Sequence, residues 1–188
     1  MDYIIILFTA LGLAMTAFAF ALNCAMQRPS PKIGQFFTLT LWFTVFQTVM
    51  FVLGGIIGFS LLKFMSISGI WASFSILIIF GFKKIAETIT KKDDTRCFDF
   101  RETKTLALVS LANSFDAFIV GISLAFIKLD LWVLALSVGI AIFVLTLFGA
   151  ILGKKLQLPK NIKWLELVGG VALIIVAIKI LINQFAYV

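Results

Sequence analysis

Six long apolar segments occupy most of this sequence, and they constrain the fold more than any other feature. A helix needs about 20 consecutive apolar residues to cross the hydrocarbon core of a bilayer, and each segment is near or above that length. None shows the two-residue alternation of a transmembrane strand. We therefore predict an all-α integral membrane protein, with six transmembrane helices in one domain over residues 1–188. The predicted spans are about Ile4–Met26, Gly34–Leu62, Met65–Phe82, Thr105–Ile127, Leu131–Leu152 and Trp164–Tyr187.

The composition excludes most other classes of protein. Hydrophobic residues make up 62% of the chain and charged residues 13%, whereas a soluble domain averages about 45–50% and about 25%. The chain has no histidine, which excludes Ser-His-Asp triads and histidine metal sites. Cys24 and Cys97 form no CxxC motif, and we interpret Cys24 as a small apolar packing residue. With no nucleophile–base pair and no GxxxxGK[ST] motif, we expect neither enzymatic activity nor a cofactor.

The basic residues predict the orientation in the membrane. Of the 16 lysines and arginines, 13 fall in loops predicted at 27–33, 83–104 and 153–163. Lys83 and Lys84 are counted in the second of these loops. By the positive-inside rule the three loops are cytoplasmic and both termini lie outside. The net charge of +7 therefore indicates topology rather than nucleic-acid binding, since four acidic residues interleave with the basic ones between Lys91 and Lys104.

Three spans on each side of the longest loop predict a 3+3 inverted repeat, an architecture common among secondary transporters. The predicted units are repeat one over about 1–87, a cytoplasmic loop over about 88–104 and repeat two over about 105–188. Chance similarity between apolar helices is the alternative, but three correspondences in the same order favour a repeat. These correspondences are 14–22 with 114–122, 54–58 with 149–153, and Lys83 with Lys179.

Asp116 is the acidic residue that cannot be placed in water or at an interface. It lies about eleven residues into the fourth span, or roughly 17 Å deep at ~1.5 Å per residue. A carboxylate there costs at least a few kcal/mol and usually marks an ion, substrate or proton path. A protonated side chain bonded to a neighbouring helix is the alternative. Glu87 and Glu166 lie near the cytoplasmic boundary. They could form an ion vestibule, but we favour the interpretation that they are ordinary interfacial charges.

Other polar residues lie at a depth similar to that of Asp116. Asn113 precedes it by three residues and shares its helical face. Thr16 and Gln47 are each about thirteen residues from the start of their spans. Together these four residues predict a midplane layer of oxygen ligands for a cation. For Thr16 and Gln47 taken singly, interhelical hydrogen bonding explains the side chain equally well.

At these residues the chain resembles the manganese efflux pump (MntP) family, within the lysine-exporter-like transporter superfamily. The similarity extends to length, six spans, outside termini and the charged central loop. It implies a multi-pass secondary transporter of a bacterial-type plasma (inner) membrane that exports Mn²⁺ as its substrate. Asp116 would be the anionic ligand, and Asn113, Thr16 and Gln47 would be neutral ligands or supports. The closest segments are 11–19, 81–87 and 114–121.

The chain departs from this family pattern at two positions. The family carries an aspartate where this chain has Thr16 and a glutamate where it has Gln47. One carboxylate with a hydroxyl and an amide leaves a divalent cation with surplus positive charge, so we expect lower affinity or changed selectivity. Two alternatives therefore stay open: export of another small cation or an amino compound, and a membrane scaffold that transports nothing.

Overall fold

The computed structural model describes residues 2–27, 33–63, 69–90, 103–127, 130–155 and 163–186, and helices fill nearly all of these ranges. The all-α prediction is confirmed, and the described ranges contain no strand. Five helices, all but α3, are long and apolar enough to cross a membrane, as expected of a multi-pass membrane protein. The helices are α1 (Asp2–Gln27), α2 (Ile33–Leu62), α3 (Gly69–Thr90), α4 (Thr103–Ala125), α5 (Leu131–Lys155) and α6 (Lys163–Ala186).

The helices satisfy their own backbone polar groups, as segments in a lipid environment must. Several serine and threonine hydroxyls donate to the carbonyl oxygen one turn earlier. Ser114 Oγ, for example, donates to the Ser110 carbonyl at 2.6 Å. At the start of α5, the backbone N–H of Trp132 donates to Asp130 Oδ1 at 3.0 Å. Asp130 therefore caps this helix and fixes where it begins.

The third helix extends further than the sequence analysis predicts. We ended the third span at Phe82 and assigned residues 83–104 to a cytoplasmic loop, but α3 continues to Thr90. The loop assignment is therefore wrong for residues 83–90, and Lys84 is only 7% exposed. Counting apolar residues treats a lysine as a boundary, although a lysine with an ionic partner can be buried. At the edges of the three predicted loops, residues 27, 33, 103–104, 153–155 and 163 also belong to helices. The rest of these loops, 28–32, 91–102 and 156–162, lies outside the described residues.

Cys24 also differs from its sequence-based interpretation. The residue is buried near the end of α1 and is disulfide-bonded, so it is more than an apolar packing residue. The other cysteine of the chain, Cys97, lies outside the described residues.

The helices pack in pairs that leave α3 and α4 only loosely joined. The most extensive contacts are between α1 and α5 and between α2 and α4, and α3 packs more on α6 than on α4. Large apolar side chains such as Leu7, Ile79 and Leu136 are about two-thirds exposed on the outer surface. A surface of this kind is typical of contact with lipid.

Gly58 lies where α2 and α4 approach closely, which leads to a prediction about stability. A β-carbon added at Gly58 would lie 2.6 Å from the Ile122 carbonyl oxygen and 2.7 Å from Ala125 Cβ. Gly58→Ala should therefore force the two helices apart. We expect the free energy of unfolding to fall by about 1–3 kcal/mol, the usual cost of overpacking.

Gly34→Ala is the matched control, because it makes the same substitution in the same helix. A β-carbon added at Gly34 meets no atom within 4 Å, and alanine is the better helix former. We expect this variant to be unchanged or slightly stabilised. The measurement is denaturant unfolding of the purified protein in detergent, followed by tryptophan fluorescence. Equal stabilities for the two variants would contradict the proposed close packing.

Candidate functional site

A cavity of about 310 Å³ lies between α1, α3, α4 and α6. It extends from the middle of α4 to the first turn of α6, and so towards the helix ends that are predicted to be cytoplasmic. Polar and charged side chains line much of it, although the surrounding helices are strongly apolar. The lining residues are Thr16, Phe20, Lys84, Glu87, Thr88, Val109, Ala112, Asn113, Asp116 and Glu166.

The structure brings together three of the four predicted site residues. Thr16, Asn113 and Asp116 line the same cavity, Thr16 from α1 and the other two from α4. Gln47 is not among the lining residues, and α2 contributes none of them. It is only 1% exposed, and its Oε1 atom has no hydrogen-bond partner among the described residues. Gln47 therefore lies in the protein interior away from the cavity.

An ion pair joins α3 to α4 at the centre of the site. Lys84 Nζ donates to Asp116 Oδ2, and the Lys84 side chain is 8% exposed against 29% for Asp116. The ammonium also lies 5.9 Å from the centroid of the Phe80 ring, within cation–π range. Each charge thus has a partner, as burial requires. Asp116 thus bonds to a lysine on a neighbouring helix.

Lys84 lines the cavity but was not among the site residues predicted from the sequence. The signal was present, because Leu77 and Phe80 precede Lys84 by seven and four residues. Both are buried, and these spacings place them on the same helical face as Lys84. Continuing the helix beyond Phe82 would have turned Lys84 towards the interior.

Two more carboxylates, Glu87 and Glu166, line the part of the cavity nearest the ends of α3 and α6. Thr88 Oγ1 donates to the Lys84 carbonyl oxygen at 2.8 Å and lies 3.4 Å from Glu166 Oε2. Glu87 is more exposed and pairs with Lys83 at 3.5 Å. The sequence favours ordinary interfacial charges here, but the position of both residues in the cavity lining favours an ion vestibule.

Neutral polar atoms beside Asp116 remain without partners. Thr16 Oγ1 and Asn113 Nδ2 are buried and have no hydrogen-bond partner among the described residues. Such a group costs about 1–3 kcal/mol when it is left unsatisfied. The Thr16 hydroxyl oxygen could accept a cation, whereas Asn113 Nδ2 is a donor, so Asn113 could bind a cation only through Oδ1. The described residues contain no group of three or more His, Cys, Asp or Glu that could hold a metal ion. A cation at Asp116 would therefore rely on neutral oxygens and water for its other ligands.

Comparison with known proteins identifies relatives along the whole chain. A family model named Mntp, with the description "Putative manganese efflux pump", matches residues 30–181. A protein of Methanothermobacter thermautotrophicus is 31% identical over 188 residues, which is 100% of both chains. A protein of Syntrophotalea carbinolica is 34% identical over 186 residues, which is 96% of each chain. Both relatives are named "Putative manganese efflux pump MntP". No solved structure matches the chain significantly.

Proposed function

Because this chain belongs to the Mntp family, we propose that it is a secondary transporter that exports Mn²⁺ through the cavity at Asp116. One observation carries the proposal: a carboxylate midway along an apolar helix lines a polar cavity shared by four helices. Intramembrane acids in such positions usually mark an ion or substrate path. The relatives are named as transporters, which points away from an enzyme.

The chemistry of the cavity suits a divalent cation that remains partly hydrated. Manganese(II) accepts carboxylate, carbonyl and water oxygens, and we assign Asp116 as the anionic ligand with Thr16 and Asn113 as neutral ones. The volume of about 310 Å³ is many times the ~10–15 Å³ that one water molecule needs. We leave Gln47 out of the proposed ligand set, because no residue of α2 lines the cavity.

The vestibule carboxylates Glu87 and Glu166 give the ion a route to Asp116. Acidic side chains around a cleft raise the local concentration of cations. Both residues line the cavity on the side of the helix ends, where an ion from the cytoplasm would arrive first. We propose that they recruit the ion and that Asp116 binds it further inside.

We propose that all six helices cross the membrane, with both termini outside. The 22 residues of α3 span about 33 Å at ~1.5 Å per residue, enough for the hydrocarbon core. This helix carries three charged side chains, as α6 also does, but Lys84 is neutralised by Asp116. Lys83 and Glu87 lie near its end and are exposed. The charges of α3 are thus compatible with a membrane span.

Contacts between helices support the proposed inverted repeat. Glycines of α5 face backbone oxygens of α1, and glycines of α2 face backbone oxygens of α4. The repeat aligns residue 18 with 118, residue 22 with 122, and the two glycine pairs with each other. The third correspondence, Lys83 with Lys179, has no such support. A β-carbon added at each glycine would contact a carbonyl oxygen of the partner helix: Gly149 that of Phe18, Gly153 that of Leu22, Gly54 that of Phe118 and Gly58 that of Ile122.

The structure fits an inward-facing state of such a transporter. Ser73 Oγ donates to the Ser123 carbonyl oxygen, and Ser123 Oγ donates back to the Ser73 carbonyl at 3.0 Å. Both serines are fully buried, and they join α3 to α4 at the helix ends away from the vestibule. We propose that this contact closes the outer side while the ion binds, and that it separates for release.

The two alternatives from the sequence analysis fare differently. A scaffold predicts a dry, tightly packed interior around Asp116, so the polar cavity counts against it. Export of a small amino compound remains a second candidate, because Asp116 already binds an alkylammonium group, that of Lys84.

The test of the proposed function is metal content in cells that lack their own manganese exporter. Cells expressing the protein should contain less manganese than vector controls and should grow at manganese concentrations that stop the controls. Other divalent ions and a set of small alkylamines should be measured in parallel. Unchanged manganese together with lower content of an amine would establish the second candidate instead.

A further inference from the structure

We propose that Lys84 is a tethered cation that occupies Asp116 when no substrate is bound, and that it makes the site selective for divalent ions. The inference rests on the proposed function, because it concerns which cations can use Asp116. It starts from the ion pair between Lys84 Nζ and Asp116 Oδ2, both of which belong to residues lining the cavity. The ammonium lies where an incoming cation would meet the carboxylate.

Displacement of the ammonium depends on the charge of the incoming ion. A monovalent ion that replaces the ammonium beside Asp116 carries the same unit charge, so its Coulomb attraction to the carboxylate is no stronger at the same distance. It must also compete with a group held beside the carboxylate at high effective concentration. A divalent ion at the same distance doubles the Coulomb attraction to Asp116. The tether therefore excludes Na⁺ and K⁺, which are abundant in cells, more strongly than it excludes Mn²⁺.

The surroundings of Lys84 allow its ammonium to leave Asp116. Glu87 and Glu166 line the same cavity, so the displaced ammonium remains near other carboxylates. The long, flexible lysine stem can move without a shift of the helix. A purely structural ion pair would need no cavity beside it and no such acidic surroundings.

The test compares Lys84→Met with Lys83→Met, the same substitution one residue earlier. Lys83 is 60% exposed, pairs only with Glu87 among the described residues, and is absent from the cavity lining. Purified protein in detergent is titrated with Mn²⁺ in mildly alkaline buffer, where free carboxylates are ionised, and free Mn²⁺ is followed by electron paramagnetic resonance. We expect Lys84→Met to lower the Kd by about tenfold, within the usual range of coupling between two ligands. Lys83→Met should bind as wild type does.

A second measurement tests whether Lys84 makes the site selective for divalent over monovalent ions. Ionic strength is held constant with the salt of a large organic cation while NaCl is added. Excess NaCl should then raise the Kd for Mn²⁺ several-fold in Lys84→Met and leave the Kd of wild type nearly unchanged. An unchanged or higher Kd in Lys84→Met, with no effect of Na⁺, would overturn the inference and leave Lys84 a structural role.

Lys84→Arg keeps the inference testable if Lys84→Met does not fold. Arginine retains the charge and pairs with carboxylates through two hydrogen bonds, so the Kd for Mn²⁺ should rise, and a lower Kd would contradict competition. Failure of the proposed function itself has a different signature. In that case wild type and Asp116→Asn bind Mn²⁺ equally weakly, whatever the residue at position 84.

Discussion

Asp116→Asn should abolish manganese efflux, the largest functional effect that we predict. The substitution keeps the shape of the side chain but removes the carboxylate that the proposed site depends on. Losing one charge of a buried, hydrogen-bonded interaction costs at least about 2 kcal/mol, or about thirtyfold in affinity. Cells that express this variant should therefore retain as much manganese as vector controls, measured by elemental analysis. Export at the wild-type rate would show that the ion takes another route.

The same substitution also leaves Lys84 buried without its partner, so loss of folding must be separated from loss of transport. Breaking a buried pair costs about 3–5 kcal/mol, and we expect the lower end because Asp116 is partly exposed. The double variant Asp116→Asn with Lys84→Met removes both charges and should recover most of that stability. Its efflux should remain absent. Recovery of both stability and efflux would mean that Asp116 serves the fold and not the ion.

Asp116, Thr16 and Asn113 could be predicted from the sequence because depth and helical face are local properties. Counting residues from the start of a span gives the depth, and the spacing of three between Asn113 and Asp116 gives a common face. Lys84 was missed because lysines near the end of an apolar run were counted only as markers of topology. Whether such a lysine is buried depends on a carboxylate 32 residues away in the chain, which no local pattern contains.

Gln47 was predicted as a site residue from its depth, but depth does not determine which neighbouring helices a side chain faces. Its depth suited the site, but the direction in which a helix faces depends on its neighbours, and α2 packs against α4 and α5. Thr40 and Gln47 are accordingly buried, and their side-chain oxygens have no hydrogen-bond partner among the described residues. A polar stripe on a transmembrane helix thus indicates an interior face without indicating which interior surface it meets.

Thr16→Asp should raise the affinity for manganese, the second large effect that we predict. Thr16 lines the cavity with Asp116 and is its counterpart in the proposed repeat. A second carboxylate there would balance more of the charge of a divalent ion, and oxygen sites tune affinity through the number of charged ligands. We expect the Kd for Mn²⁺ to fall by about tenfold, measured by titration of the purified protein. Thr16→Asn, which replaces the hydroxyl by a neutral amide of nearly the same size as aspartate, is the control and should show no such gain in affinity.

Gln47→Glu should behave differently, although the family pattern places an acid at that position too. Gln47 is 1% exposed and lies outside the cavity lining, so an added charge there would be buried with no cation in reach. We expect the free energy of unfolding to fall by a few kcal/mol, as for other unpaired buried charges, and no gain in Mn²⁺ affinity. A gain as large as that of Thr16→Asp would place α2 at the ion during transport. The ligand set would then include Gln47, and the helix would have to move between the two states of the transporter.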